Sequence, residues 1–132
     1  MSKSLDNHID LAQTSEETKR RVATAFTDPQ RQRRSDPGNP AVCNVFSLHK
    51  LFNTEEVSTV YAECTTAVRG CVDCKMHLAD GINRSLESFR EKRLVFEQNP
   101  KLVSDILSDG AQKASTIAKS TILEVKDKLG LR

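Results

Sequence analysis

The sequence has no tryptophan, one tyrosine and five phenylalanines in 132 residues, so aromatic rings can supply only a small part of any core. No apolar stretch approaches the roughly 20 residues that a membrane helix needs. The opening segment, Met1 to Asp10, carries Asp6 and Asp10 and has no apolar centre, which argues against a secretory signal. A cytoplasmic protein without membrane contact is expected. No G-x-x-x-x-G-K loop, no Ser-His-Asp arrangement and no evident pair of carboxylates is present, so the chain shows no catalytic constellation of its own. Strand-like alternation, internal repeats and low-complexity tracts are also missing.

What is present fits one modest domain. Hydrophobic residues make up 37% of the chain and charged residues 29%. A domain of this size buries only about two-thirds of its unfolded surface, so a metal or a partner domain would help to stabilise it. The net charge is only +2, but it is unevenly spread. Lys19, Arg20, Arg21, Arg31, Arg33 and Arg34 stand against Asp28 alone between positions 19 and 34. Such a cluster is either a solvated face or a phosphate-contacting patch.

The periodicity is helical. Residues 1–13 read as an extended loop. Thr14 and Glu17 form a capping-box pattern, predicting a helix over 15–26 with Val22, Ala25 and Phe26 facing inward. Pro29, Pro37, Gly38 and Pro40 then impose a loop of about 14 residues, a length that in a compact domain points to function or disorder. Short helices are predicted over 41–52 and 54–67, the second closed by Arg69 and a left-handed Gly70. The clearest helix, over 72–98, places Met76, Ala79, Ile82, Leu86, Phe89 and Phe96 on one stripe. Asn99-Pro100 starts another helical run. Gly110 marks a break or a close helix contact, and a last helix carrying Ala114, Ile117, Thr121, Val125 and Leu129 is stopped by Gly130. The fold class expected is all-α, an antiparallel bundle behind an extended N-terminal loop segment.

The four cysteines, Cys43, Cys64, Cys71 and Cys74, have the spacing C-x20-C-x6-C-x2-C. In a cytosolic chain such residues are more often metal ligands or reactive groups than disulfides. Cys71 and Cys74 straddle two residues at a helix start, where the helix dipole favours thiolates. Three readings stay open at this point: an iron–sulfur cluster on four thiolates, a structural zinc, which more often takes two close pairs, and four buried thiols with no metal. A redox C-x-x-C pair lacks its βαβ setting. His8, His49 and His77 add no better ligand spacing and read as surface or packing residues.

Taken together, these segments resemble the bacterial tryptophanyl-tRNA synthetases. The string MSKSLDN, from Met1, looks like the K-M-S-K-S signature of class I aminoacyl-tRNA synthetases without its first lysine. Thr27 to Phe52, TDPQRQRRSDPGNPAVCNVFSLHKLF, resembles the segment that follows the signature. Cys64 to Lys75, CTTAVRGCVDCK, resembles the subgroup that carries a [4Fe–4S] cluster. Asp109-Gly110-Ala111 through Leu131 resembles the last helices.

The resemblance implies a ligase that joins tryptophan to its tRNA using ATP and magnesium, of which this chain is the C-terminal part, with the Rossmann catalytic domain absent. Residues 1–26 would be the signature loop and a linker helix, and residues 27–132 a helical anticodon-binding domain. Met1, Ser2, Lys3 and Ser4 would form the ATP signature, with Lys3 steadying the phosphates only beside the missing domain. Cys43, Cys64, Cys71 and Cys74 would hold the cluster, with zinc as the alternative. Arg31, Arg33, Arg34 and Lys75 are candidates for contacts to tryptophan tRNA. With so few aromatic rings, hydrogen bonding and arginine stacking would do the reading. Without a site for the ATP base, the ribose and the amino acid, the chain alone is expected to be inactive. The other partners implied are the catalytic domain, in cis or in trans, and a second copy in a homodimer. Two competing functions are half of a split synthetase acting in trans and a freestanding metal-binding module.

Overall fold

The computed structural model describes Ser4 and residues 7–131. Met1, Ser2 and Lys3, three of the four signature residues, lie outside the described residues. Among those described, every regular element is helical and there is no strand. The helices are α1 (Ser15–Ala23), α2 (Asn44–Phe52), α3 (Val57–Thr65), α4 (Cys71–Gln98) and α5 (Pro100–Lys128), with 3₁₀ turns at Pro40–Val42 and Thr54–Glu56. No described helix is long and apolar enough to cross a membrane.

The capping box at the start of α1 forms as its sequence demands. Thr14 Oγ1 accepts the Glu17 N–H at 3.2 Å, and Glu17 Oε2 accepts the Thr14 N–H at 2.7 Å. The helix stops at Ala23, one turn short of the expected Phe26. Beyond that stop the helical register no longer aims side chains inward, and Phe26 is 61% exposed. The proline-rich loop that follows is pinned by buried Asp28, whose carboxylate accepts the N–H of Gln30 at 2.9 Å and of Asn39 at 2.8 Å. A buried carboxylate is stable only when hydrogen-bonded in this way.

The chain divides into two compact units, one ending at Arg90 and the other running from Glu91. In the first, Val22 of α1, Val45 and Phe46 of α2, Val60 of α3 and Leu78, Ala79 and Ile82 of α4 form one buried cluster, which Cys43 joins. Lys75 donates to the carbonyl of Ala23 at 2.8 Å and Arg90 to the Thr18 hydroxyl at 2.9 Å, tying α1 to α4.

The end of α3 departs from expectation. The left-handed residue is Ala67, at φ +60°, and not Gly70. The Arg69 N–H reaches back to the Glu63 carbonyl at 3.1 Å, closing the helix end around Ala67. The carbonyl of Gly70 accepts the Cys74 N–H at 2.9 Å, so Gly70 opens α4 rather than closing α3.

In the second unit, α5 is capped by Asn99, whose side chain accepts the Leu102 N–H at 3.1 Å. It runs unbroken through Gly110, which has nothing within 4 Å of where a Cβ would stand, so neither the break nor the close contact expected there occurs. Gly130, at φ +66°, ends it as expected. No residue of α5 is buried, and Ile117 and Val125 of the expected stripe, with Leu129 just past its end, are exposed.

Candidate functional site: four cysteines and a basic groove

Three helix ends supply the four thiols. Cys43 stands immediately before α2, Cys64 lies in the last turn of α3, and Cys71 and Cys74 occupy the first two turns of α4. All four are free, and Cys43 is buried. Burial raises the Cys64 thiol above its ordinary value, a nearby Arg31 opposes that rise, and Cys43 and Cys71 add to it. Burial pushes Cys74 up to about 12, opposed by Arg69 and reinforced by Cys43, Cys64 and Cys71. The four sulfurs are thus within electrostatic reach of one another, although they are far apart in sequence. No three His, Cys, Asp or Glu side chains among the described residues are grouped as ligands of one metal ion.

The surroundings favour negative charge. Arg31 directs Nη1 at Cys64 Sγ, 3.9 Å away, while Nη2 donates to the carbonyls of Arg34 at 2.8 Å and Arg69 at 3.0 Å. Its Nε is buried with no partner. Arg69 is held by Glu63 at 2.6 Å and by His77 Nδ1 at 2.9 Å, and His77 Nε2 meets Glu56 at 3.1 Å. The backbone comes close as well. The Gly38 N–H donates to the Cys64 carbonyl at 3.0 Å, and a Cβ on Gly38 would stand 2.6 Å from Cys64 Sγ. Any larger residue there must displace the thiol. An orphaned guanidinium N–H, a glycine cradle and coupled thiols suit an anionic thiolate-bound group.

His49 was not expected at this site. It is fully buried, with Nε2 3.3 Å from Cys74 Sγ and 3.2 Å from the Cys74 carbonyl. Desolvation is the leading cause that lowers its pKa, and the hydrogen bond to the Cys74 carbonyl opposes the shift. The available sequence signal was the pair His49 and Asn53, one turn apart on a helix that begins at a cysteine.

The four basic candidates take different positions. Arg31, Arg33 and Arg34 line one open groove of about 310 Å³ with Gly70, Cys71 and Asp73. Arg33 and Arg34 are exposed, and Arg34 pairs with Asp73 at 3.4 Å. Arg31 is half-buried and committed to Cys64 and two carbonyls, while Lys75 is committed to the end of α1. A larger cavity of about 430 Å³ lies between α1 and α2, with Arg21 its only charged lining residue among those described.

Residues 1–87 match the family of class I tRNA synthetases described as W and Y. The chain belongs to that family. It is 37% identical over 133 aligned residues to the tryptophan–tRNA ligase of Aquifex aeolicus, covering 99% of this chain and 34% of that protein. The corresponding enzyme of Thermotoga maritima is 39% identical, with 99% and 40% covered. Among solved structures, the tryptophanyl-tRNA synthetase of Campylobacter jejuni superposes with a TM-score of 0.86 at 28% identity, over 99% of this chain and 42% of that one. The chain therefore spans 34–42% of the length of these synthetase relatives, and its fold matches that of the Campylobacter structure.

Proposed function

We propose that this chain is the tRNA-reading part of a tryptophan–tRNA ligase, an antiparallel helical bundle of the anticodon-binding type. Cys43, Cys64, Cys71 and Cys74 hold a [4Fe–4S] cluster behind its basic groove. The observation that supports this reading best is the groove itself, where Arg31, Arg33 and Arg34 share a wall with Cys71. Arg33 and Arg34, which are exposed, would meet phosphates or unstacked bases, which is how single-stranded RNA is read. Arg31 links that surface to the thiols through Cys64.

Four cysteine thiolates can hold either a structural zinc or an iron–sulfur cluster; the cluster is preferred because Cys64 to Lys75 resembles the cluster-bearing subgroup. A cluster takes one cysteine per iron at separate corners and accepts ligands from several helix ends. The bound cluster would supply a fixed, negatively charged crosslink. Cys43, Cys64, Cys71 and Cys74 would hold it as thiolates, Arg31 and Arg69 would offset its charge, and Gly38 would leave room for Cys64.

Lys3 steadies ATP phosphates in the whole enzyme, which joins tryptophan to tRNA with ATP and magnesium beside a catalytic domain supplied in the same chain or a separate one. The 132 residues alone bind tRNA without charging it. Filter binding at moderate salt tests this. Tryptophan tRNA should bind more tightly than other tRNAs, and Arg34→Ala should cost about 1–3 kcal/mol and reduce the preference. Equal binding of all tRNAs, with a salt slope but no preference, is the result that contradicts the reading.

A further inference from the structure

His49 stands at the centre of a buried polar chain that the synthetase reading does not use. Its Nδ1 faces Asn53 Nδ2 at 3.0 Å. The orientation of the Asn53 carboxamide is fixed by its other contacts. Nδ2 also donates to the His77 carbonyl at 3.3 Å, and Oδ1 accepts from Arg84 Nη2 at 3.4 Å. An amide nitrogen can only donate, so Nδ1 must be the accepting, unprotonated nitrogen. The ring proton then sits on Nε2, which points at Cys74. Nε2 lies 3.3 Å from Cys74 Sγ and 3.2 Å from the Cys74 carbonyl.

Packing holds this arrangement in place. Asn53 is 5% exposed, and its carboxamide lies against Gly81 of α4, where a Cβ would overlap it. The glycine that costs α4 helical propensity is the space in which Asn53 sits.

We propose that His49 is a positioning residue for the four-cysteine site, its one Nε2–H shared between the carbonyl and the sulfur of Cys74, with Asn53 and the gap at Gly81 fixing the tautomer that makes this possible. The inference rests on the cluster reading above and adds to it the group that tunes one ligand. A hydrogen bond to a ligand sulfur stabilises the more negative, reduced state of a cluster, so it raises the reduction potential. It also fixes the orientation of the ligand.

The test uses the whole chain purified without oxygen. Iron and acid-labile sulfide are measured first, and the cluster is then titrated with dithionite and followed by electron paramagnetic resonance. His49→Phe removes the donor and should shift the reduced-to-oxidised ratio about tenfold toward the oxidised form, equivalent to about 59 mV for one electron, with iron and sulfide unchanged. His49→Gln, whose side-chain amide can still donate, should recover most of that shift. Asn53→Leu should move the potential in the same direction as His49→Phe. The ¹⁵N spectrum of the oxidised, loaded chain should show the neutral Nε2–H tautomer of His49.

Unchanged potentials in His49→Phe and Asn53→Leu, with only their thermal stability lowered, would reduce His49 to a packing residue and overturn the inference. The opposite tautomer would do the same, and the nitrogen spectrum and Asn53→Leu decide the matter even if His49→Phe does not fold. Unmodified chain without iron and sulfide is a different failure: it removes the cluster reading itself and this inference with it.

Discussion

Ala67 has a positive φ, the only described residue other than glycine that does. The left-handed region costs an L-residue with a Cβ roughly 1–2 kcal/mol, and glycine avoids that cost. Ala67→Gly should therefore raise stability by about 1 kcal/mol, read as a higher denaturant midpoint at unchanged slope. A fall in the midpoint would mean that the Ala67 methyl group packs more than its backbone strains. Sequence pattern alone selected Gly70 for this role because glycine is the usual left-handed residue. Which residue takes the turn is decided by the Arg69-to-Glu63 closure, a contact invisible in composition. The same limit hid His49 and the inward turn of Arg31. Spacing brought the four cysteines to notice as a set, but their neighbours depend on how α2, α3 and α4 meet.

Elements with local signals were the most legible. The capping box at Thr14 formed as read, and the stripe of α4 buried Ala79 and Ile82 as its spacing required. Phe26 failed because it lies beyond the true end of α1, and Phe89 and Phe96 are exposed although they continue the stripe. Periodicity marks a potential face, but burial needs a partner element at that position. The cap also carries a pH dependence. The N–H and the hydroxyl of Thr14, hydrogen-bonded to Glu17, lower the pKa of that carboxyl below 4.5. A lowered carboxyl contributes stability above its unfolded pKa and loses it as pH falls through the lower folded value. Thr14→Ala should cost about 1 kcal/mol near neutral pH through the lost cap but keeps the Thr14 N–H and so most of the pH dependence, whereas Glu17→Gln removes the titrating carboxyl and its difference from the unmodified chain should shrink below pH 4.5 in thermal melts. A difference that stays constant to low pH would show that Glu17 is not the group involved.

At the scale of the molecule, stability is concentrated in the first unit. Leu78, Ala79 and Ile82 are at most 1% exposed, whereas α5 buries no residue. Helices without buried apolar contacts open readily, since packing supplies most helical stability in proteins. Backbone amides of α5 should therefore exchange with deuterium much faster than those of Leu78 to Ile82, and Ile82→Ala should cost about 2–5 kcal/mol in global unfolding. Equal protection along α5 and α4 would show that α5 has a packing partner in solution. Fold class was the most legible property at this scale, because a chain with helical periodicity throughout and no alternating segment has few other choices.

The same first unit carries the central claim, the cluster on four cysteines. Cys74, pushed up to about 12 in the free thiol form, must lose its proton to ligate, so loading should become easier as pH rises. The most direct measurement is iron, acid-labile sulfide and zinc content, with a visible spectrum, on the chain purified without oxygen. About four irons and four sulfides per chain, lost on Cys71→Ser or Cys74→Ser, are the predicted result. One zinc per chain, or no metal at all in a folded chain, would contradict it.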